Sequence, residues 1–488
     1  MEKYFEGLSS KKVFQYFEEI SKIPRGSGNE KAISDYLVKF AREHDLEVTQ
    51  DESFNVIIKK PASLGFENVP GVIIQGHMDM VCDKNKGVVH DFERDPIKLQ
   101  VKDGMIYASG TTLGGDDGIA VAYALALLDS DDIPHPPLEV LLTTGEEVGL
   151  TGAARVDLSS IKGKYLINLD SEEEGRILSG CAGGVRAKIY LPVLWEDADK
   201  ALIPYKITIG NLKGGHSGGE IDKERANSHK LMGRLLYDMS LSMNFYINRI
   251  DGGQKMNAIP RETSAVILIS HENSEKLAKK AAEWDGIFKN EYRASDKNVT
   301  VTAEKLDMDV DNVFTKSTAR SAIGLLLTIP NGIQSMSMEI KGLPESSTNI
   351  GVVETSDKNI SYESAVRSSV RSRKYYICTQ MKVVAEKFGA DIEFDGDYPE
   401  WEYNPDSSLR KLFIKVYKDI FGRGMEVIAT HGGVECGLFK EKLQDVDMVS
   451  LGPDIYGVHT PDEHLSIASV QRTWELLLEV LKEIKDIK

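Results

Sequence analysis

Apolar and polar residues alternate in two different periods along the first part of the chain. Residues 10–22 carry apolar side chains at helical spacing, and Asn29 is placed to cap a second helix that ends near His44. Short apolar runs bounded by turn residues predict buried strands. The predicted elements are helices at 10–22, 29–44 and 119–128 and strands at 72–74, 138–142 and 165–169. Strands that alternate with helices favour a mostly parallel sheet with helices on both faces.

The pattern changes near Val185 and changes back near Asp397. Between these points, strands of alternating polarity mix with long amphipathic helices, which is typical of an α+β domain. We therefore expect an α/β catalytic domain built from residues 1–185 and 398–488, interrupted by an inserted lid domain at 186–397. The clearest elements of the insert are strands at 187–191 and 205–209 and helices at 222–243 and 274–294.

Composition limits the possible functions. The chain has 488 residues, enough for two domains, and a net charge of −17 that argues against a general nucleic-acid binder. Its N-terminus is charged and has no apolar signal core, and no run approaches the ~18 apolar residues needed to cross a membrane. The four cysteines are scattered without a CxxC pair. We expect reduced thiols, a cytoplasmic location and no membrane association.

Acidic and histidine residues gather where predicted strands end or helices begin. The clusters are Gly76-His77-Met78-Asp79, Gly114-Gly115-Asp116-Asp117-Gly118, Thr144-Gly145-Glu146-Glu147 and Asn168-Leu169-Asp170. In α/β sheets, ligands bind beyond the carboxyl ends of the strands. Histidines and carboxylates without thiolates suit a two-metal hydrolytic site. This pattern predicts a metallopeptidase.

Each cluster also has a plain structural interpretation. His77 and Asp79 could simply bond to each other at a strand end, and a Gly-Asp-Asp-Gly segment is a good turn and helix cap. The Glu146-Glu147 pair could be a solvated acidic loop, and aspartate commonly starts a turn, as Asp170 would. The occurrence of all four clusters in this order is what favours a metal site.

The strings Gln75–Val81 and Gly110–Gly118 resemble the M20 family of cocatalytic metallopeptidases, in its aminoacyl-histidine dipeptidase (cytosol non-specific dipeptidase) branch. The resemblance extends over essentially the whole chain. It implies that His77 and Asp170 hold one metal, that Glu147 and His459 hold the other, that Asp116 bridges both, that Glu146 is the general base and that Asp79 supports His77. His459 is followed four residues later by Glu463, as in the family, and His464 is the alternative ligand.

This family resemblance implies two divalent metal ions and hydrolysis of dipeptides. Zinc is the expected metal, and manganese or cobalt also suits histidine and carboxylate ligands. A hydroxide held between the metals would attack the peptide carbonyl while Glu146 handles the proton. In such enzymes a histidine of the lid stabilises the transition state, and His216, in a glycine-rich loop, is the candidate here. We expect the two domains to close for catalysis.

Substrate-binding residues follow from the same resemblance. Asn257 matches the asparagine-bearing loop of the family, and Arg367 matches its substrate-binding arginine, although Arg371 could share a helix face with it. The glycine-rich turn at 431–437 could meet the substrate carboxylate through the backbone N–H groups of Gly432 and Gly433. Glu435 could receive the free amine or have a structural role. The residues leave open whether β-alanyl-histidine or ordinary α-dipeptides are preferred.

Other functions share parts of this pattern. A deacylase or a tripeptidase would have the same metal centre and a pocket of different length. A non-catalytic peptide-binding protein would not need Glu146, and a phosphate-binding enzyme would need a glycine motif that is missing here. The expected partner is a small peptide substrate, and the inserted domain could form a homodimer.

Overall fold

The computed structural model describes residues 5–487, and the chain forms two compact units. Unit 1 comprises Met1–Gly180, Tyr403–Ala429 and Val434–Lys488, and unit 2 comprises Cys181–Glu402 and Thr430–Gly433. Each unit has its own hydrophobic core. The chain therefore leaves unit 1, builds unit 2, and returns to complete unit 1.

An eight-stranded sheet forms the centre of unit 1. Its four middle strands are parallel, and the strands Glu47–Gln50, Val56–Lys60 and Arg176–Cys181 toward the edges pair antiparallel with their inner neighbours. In spatial order the strands are Glu47–Gln50, Val56–Lys60, Leu138–Thr143, Val72–His77, Tyr165–Asn168, Asp447–Ser450, Arg176–Cys181 and Glu426–Thr430. Because the middle strands are buried and apolar, they need no alternation of polar residues. Their carboxyl ends lie at one edge of the sheet.

Helices and a small sheet complete unit 1. The helix Gly115–Leu128 is apolar along nearly its whole length and is buried in the core. The small sheet consists of Ile455–Tyr456, His464–Ser466, Met105–Ala108 and Leu99–Lys102. The other helices are Lys11–Ile20, Lys31–Glu43, Thr151–Arg155, Ser408–Phe421, Glu435–Lys442, Ile467–Glu483 and the 3-10 helix Ile484–Asp486.

Unit 2 is built on an antiparallel nine-stranded sheet. Its strands, in spatial order, are Thr300–Lys305, Ile203–Gly210, Thr263–Ile269, Tyr246–Gly252, Pro344–Thr355, Asn359–Ser368, Gly183–Pro192 and Asp391–Tyr398, with Gly332–Met336 also paired to Pro344–Thr355. Two short ribbons pair Trp195–Asp197 with Asn312–Phe314 and Gly215–His216 with Ala258–Ile259. The helices are Ser228–Ser242, Ser274–Glu291, Lys316–Thr328, Arg371–Lys387 and the 3-10 helices Ile221–Lys223 and His271–Asn273.

The predicted fold class is confirmed: a parallel-centred α/β unit is interrupted by an α+β unit. Two helix starts differ from the prediction. The second helix begins at Lys31 with Glu30, not Asn29, at its N-cap. The helix expected from residue 222 begins at Ser228, because the Asn227 side chain accepts from the N–H groups of His229 and Lys230.

Within residues 5–487, no helix is both long and apolar enough to span a membrane. No disulfide joins the cysteines of this part of the chain.

Candidate metal centre

The carboxyl edge of the parallel strands places the first two predicted ligands together. His77 is the last residue of its strand, and Asp170 follows the neighbouring parallel strand by two residues. The His77 ring is 1% exposed, and its Nε2 lies 3.5 Å from Asp170 Oδ1. Two residues 93 positions apart thus face the same point because adjacent parallel strands end side by side.

Asp116 lies between two histidines. Its Oδ1 is 3.0 Å from His77 Nε2, and its Oδ2 is 3.2 Å from His459 Nε2. One oxygen toward each histidine is the arrangement that a carboxylate bridging two cations requires. Burial opposes ionisation of Asp116, but hydrogen bonds with His459 and His77 outweigh it and lower the pKa of this carboxyl group.

The Glu146-Glu147 turn is held by Asp79. This aspartate is fully buried, and it accepts hydrogen bonds from the backbone N–H of Glu146 (3.1 Å) and of Glu147 (3.4 Å) and from the Ser27 hydroxyl (2.8 Å). Asp79 Oδ1 also lies 3.4 Å from His77 Nδ1. The carboxylate therefore orients the histidine and the two glutamates together.

Three groups of potential metal ligands overlap at this edge. They are His77, Asp116 and Asp170; Asp116, Glu147 and His459; and His77, Glu146 and Glu147. His459 Nε2 lies 3.0 Å from Glu147 Oε1. The alternative ligand, His464, is outside these groups: its Nδ1 faces the Asp462 carbonyl at 2.8 Å and its ring stacks on Tyr107 and Tyr456.

The charge balance of this cluster suits divalent cations. Burial and nearby carboxylates raise the pKa of Glu146 to about 9 and that of Asp170 to about 6. Hydrogen bonds with Asp116 and Glu147 raise the pKa of His459 to about 10. Glu146 and Asp170 resist losing their protons while the other carboxylates are charged, and the His459 ring binds a proton tightly. Both effects show that the cluster carries excess negative charge, which a cation would neutralise. Oxygen and nitrogen donors without thiolates fit zinc, manganese or cobalt.

Two side chains with no predicted role hold the loop that carries Asp116. The carboxylate of Glu463, 2% exposed, accepts four backbone hydrogen bonds, from the N–H groups of residues 113–116, at 2.7–3.2 Å. Buried Arg25 donates to the carbonyls of Met78, Asp79 and Gly114. Glu463 could be singled out in the sequence by its spacing from His459, although its role could not. Nothing in the sequence around Arg25 predicted that its side chain binds these carbonyls.

Glu435 is fully buried in unit 1. Its Oε2 accepts hydrogen bonds from Gln75 Nε2 at 2.6 Å and from Thr143 Oγ1 at 2.9 Å. Burial raises the pKa of Glu435 to about 7, and the negative charge of Asp170 adds to that shift. Its Oε1 is buried without a hydrogen-bond partner among the described residues. The side chain therefore has one acceptor atom left to use.

Unit 2 brings His216 and Asn257 together. The short strand of His216 pairs with Ala258–Ile259, and the Ser217 N–H donates to the Asn257 carbonyl at 2.8 Å. The N–H of Gly219 donates to His216 Nδ1 at 3.1 Å. In the neutral ring the proton is therefore on Nε2, which makes that atom a hydrogen-bond donor. Burial and the charge of Arg367 lower the pKa of His216, which favours the neutral ring.

Arg367 and Asn257 line a cavity of about 350 Å³ in unit 2. Arg367 belongs to the strand Asn359–Ser368, whereas Arg371 begins the next helix, so the two do not share a helix face as the sequence suggested. Arg371 Nε instead donates to Glu400 Oε1 at 2.7 Å.

The glycine-rich turn at 431–433 lies in unit 2. The N–H of Gly432 donates to Thr430 Oγ1 at 3.1 Å, and the Gly432 carbonyl accepts from Ala182 N–H at 3.2 Å. Gly433 lies against the Tyr398 ring, where a Cβ atom would come within 2.7 Å of Cε2. Local bonds thus already engage the Gly432 N–H that was expected to meet a substrate.

Comparisons with known proteins find relatives that match nearly the full length of the chain. The cytosol non-specific dipeptidase of Escherichia coli (strain K12) is 38% identical over 477 residues, which are 98% of each chain. The crystal structure of an aminoacylhistidine dipeptidase from Vibrio alginolyticus superposes with a TM-score of 0.93 at 38% identity, covering 98% of this chain and 97% of that one. An aminopeptidase, PepT, from Bacillus cereus shares the fold at 17% identity and a TM-score of 0.57, covering 98% and 99%. The family described as Peptidase family M20/M25/M40 matches residues 73–483, and this chain belongs to it.

Proposed function

We propose that this protein is a metal-dependent dipeptidase that uses two divalent cations. The observation that carries the proposal is the convergence of His77, Asp116, Glu147, Asp170 and His459 into overlapping ligand groups. The similarity to two dipeptidases over nearly the full length supports the substrate class.

In this proposal His77 and Asp170 would hold one cation, Glu147 and His459 would hold the other, and Asp116 would serve as a ligand to both. We propose zinc as the native metal, with manganese or cobalt as functional substitutes. The bound cations would polarise the peptide carbonyl and make water a nucleophile near neutral pH.

Glu146 is the proposed general base. Its carboxylate lies in one group of potential ligands with His77 and Glu147, which supports a role next to the cations. It would accept a proton from the attacking water and donate it to the departing amine nitrogen. Asp79 would keep this turn and the His77 ring in place through its three hydrogen bonds and its contact with Nδ1.

Residues of unit 2 would recognise the rest of the substrate. His216 would donate from Nε2 to the developing negative charge on the carbonyl oxygen, a role supported by its neutral ring and by the bond at Nδ1. Asn257 and Arg367 would bind the peptide and its carboxylate, and the turn containing Gly432 and Gly433 would border that position.

Glu435 would receive the free amine, because its Oε1 is an unused acceptor. An ammonium group there would complete the hydrogen bonding of this carboxylate.

The location and assembly of the protein are also proposals. A cytoplasmic location is supported by the similarity to the Escherichia coli relative, which is a cytosol dipeptidase by name. We propose a homodimer formed through unit 2, which sedimentation analysis of the purified protein can test.

Metal replacement tests the function. Protein stripped of metal with a chelator should be inactive on dipeptides, and zinc, manganese or cobalt should restore turnover. A panel of α-dipeptides, β-alanyl-histidine, tripeptides and acetylated amino acids identifies the substrate class. Turnover of tripeptides or of acetylated amino acids, without turnover of dipeptides, would contradict the dipeptidase assignment. It would indicate a tripeptidase or a deacylase with the same metal centre.

A substitution at the proposed base tests the mechanism. Glu146→Gln should bind metal normally and lower kcat by about 10²–10⁴-fold, because the amide cannot accept a proton. Glu43→Gln, at an exposed position, is the matched control and should retain full turnover. Near-normal turnover of the Glu146→Gln protein would remove this residue from the mechanism.

A further inference from the structure

We propose that Tyr398 is the positioning residue of Arg367, and that it orients the guanidinium toward a carboxylate in the unit 2 cavity. The inference deepens the proposed function, on which it rests, because it explains how a substrate with a free carboxylate would be selected. Tyr398 belongs to none of the motifs that predict the site.

The two side chains are joined by a hydrogen bond at the cavity wall. Arg367 Nη1 donates to Tyr398 Oη at 2.8 Å, and both residues line the cavity of about 350 Å³ together with Asn257. Arg367 Nε is buried and has no hydrogen-bond partner among residues 5–487. A buried guanidinium N–H without a partner is costly, so this donor is available for a ligand. Tyr398 therefore occupies one nitrogen and leaves another for an anion.

The Tyr398 ring is closely confined. Tyr398 pairs with Gly184 in the antiparallel register of the neighbouring strand. A Cβ atom at Gly184 would come within 2.5 Å of Tyr398 Oη and Cε1, and one at Gly433 within 2.7 Å of Cε2. Only glycine tolerates such an approach at these two positions. The ring therefore has little freedom to move, and it holds the Tyr398 hydroxyl group in place next to Arg367.

A buried lysine holds the backbone of the same segment. Lys374 is 1% exposed, and its Nζ donates to the Tyr398 carbonyl at 3.0 Å. The same Nζ forms ion pairs with Asp397 at 2.8 Å and Glu400 at 2.9 Å. Because one cation binds groups on both sides of Tyr398, the residue is held at its main chain as well as at its ring.

The charges around the cavity make Arg367 the available cation. Burial, together with the positive charge of Arg367, lowers the pKa of His216 and lowers that of His431 to about 4, so both rings are neutral at pH 7. Arg186 and Lys188 also line the cavity, but both face Asp395, at 4.0 and 3.4 Å, and the Glu363 carboxylate, which lines the cavity as well, adds negative charge near Lys188. A carboxylate that enters this cavity therefore has Arg367 as its unpaired cationic partner.

Binding of two dipeptide isosteres tests the inference. Each has a reduced, non-cleavable peptide bond; one ends in a free carboxylate and the other in a carboxamide. Their affinities for the zinc-loaded protein are measured by calorimetry for the wild type, Tyr398→Phe, Arg367→Met and the double variant. Tyr362→Phe is the matched control, because this buried hydroxyl of unit 2 donates to the Ala322 carbonyl, away from the cavity.

Tyr398→Phe should weaken binding of the carboxylate isostere about tenfold and leave binding of the carboxamide unchanged. Tyr362→Phe should bind both isosteres as the wild type does. Arg367→Met should lose the preference for the carboxylate, and adding Tyr398→Phe should change nothing further, since the hydroxyl acts through the arginine.

Equal weakening of both isosteres by Tyr398→Phe would show a general structural role and overturn the inference, as would unchanged binding of both. Hydrolysis of ordinary dipeptides by the wild type is measured in parallel. A protein that shows the expected binding pattern but no turnover would contradict the dipeptidase proposal alone. If the wild type hydrolyses dipeptides and the Tyr398→Phe protein prefers the carboxylate isostere as strongly as the wild type does, this inference alone would be contradicted.

Discussion

Two sets of buried titratable side chains in this protein respond differently to burial. Around Asp116 and Asp170, carboxylates and histidines share a small volume and shift one another's pKa values in opposite directions. In the core of unit 2, His229 is fully buried and burial alone lowers its pKa to about 3. The first set attracts cations, whereas His229 makes folding sensitive to pH.

Because His229 is buried in its neutral form, we expect the free energy of unfolding of unit 2 to fall in mild acid. Its pKa in the unfolded chain is about 6.5, so the unfolded state binds the extra proton as the pH falls through that value. Its contribution to stability is complete above pH 7 and falls by about 2 kcal/mol at pH 5. Urea unfolding of metal-free protein is measured at pH 7 and pH 5. The free energy of unfolding should fall less between these pH values for His229→Gln than for the wild type.

The control for this experiment is His271→Gln, at an exposed position where the ring is solvated in both states. It should lose as much stability as the wild type. An identical pH dependence of unfolding for His229→Gln and the wild type would show that His229 takes up its proton without unfolding.

The elements of the site differ in how they are held. His77 and Asp170 are placed by strands, whose positions follow from the hydrophobic pattern and the parallel register. Asp116 is instead in a loop and helix start at 114–117, where the peptide bond to Asp117 is cis and Gly114 has φ of 67°. This segment depends on Glu463, which satisfies the N–H groups of residues 113–116. The same carboxylate ties the loop to the turn that carries His459.

Removal of the Glu463 charge should loosen this loop. Glu463→Gln would place an amide NH₂ against N–H donors, at a cost of about 1–3 kcal/mol. Amide hydrogen exchange in residues 113–116 should accelerate about 10- to 100-fold, and metal affinity measured by titration calorimetry should fall about 10- to 100-fold.

Glu139→Gln is the matched control. Glu139 is also buried in unit 1 and also accepts backbone hydrogen bonds, from Lys162 and Gly163 at 2.8–3.1 Å, but it belongs to none of the metal-ligand groups. The Glu139→Gln substitution should accelerate amide hydrogen exchange near Lys162 and leave the metal affinity unchanged. Equal metal affinity in Glu463→Gln and the wild type would exclude the proposed support of Asp116.

The parts of the fold that could be predicted are those with a local physical cause. The strand Val72–His77 and the helix ending at Leu128 follow from apolar runs. The acidic clusters at strand ends and helix starts indicated a metal site, whereas the candidate ligand roles, His459 among them, came from the family resemblance. The contacts of Arg25 and Tyr398 could not be predicted, because their partners are distant in sequence and their own surroundings carry no motif. The start of the helix at Ser228 was missed because residues 222–226 are mostly charged residues that a helix accepts well, so the capping signal of Asn227 did not stand out as the start.

Separate cores allow the two units to respond differently to metal. The residues of the candidate centre lie in unit 1, and its core is distinct from that of unit 2. A ligand stabilises the part of a protein whose folding creates its binding site. Cations should therefore raise the stability of unit 1 and leave the intrinsic stability of unit 2 unchanged.

Calorimetry with and without a chelator tests this expectation. Cations at a thousand times their Kd add about 4 kcal/mol, which for a unit of this size raises Tm by about 10 °C. We expect two unfolding transitions, of which only one moves to lower temperature when the metal is removed. Val140→Ala and Ile267→Val, at fully buried positions in units 1 and 2, assign the transitions by shifting one each. A chelator that shifted the transition assigned by Ile267→Val, or both transitions equally, would contradict a metal centre confined to unit 1.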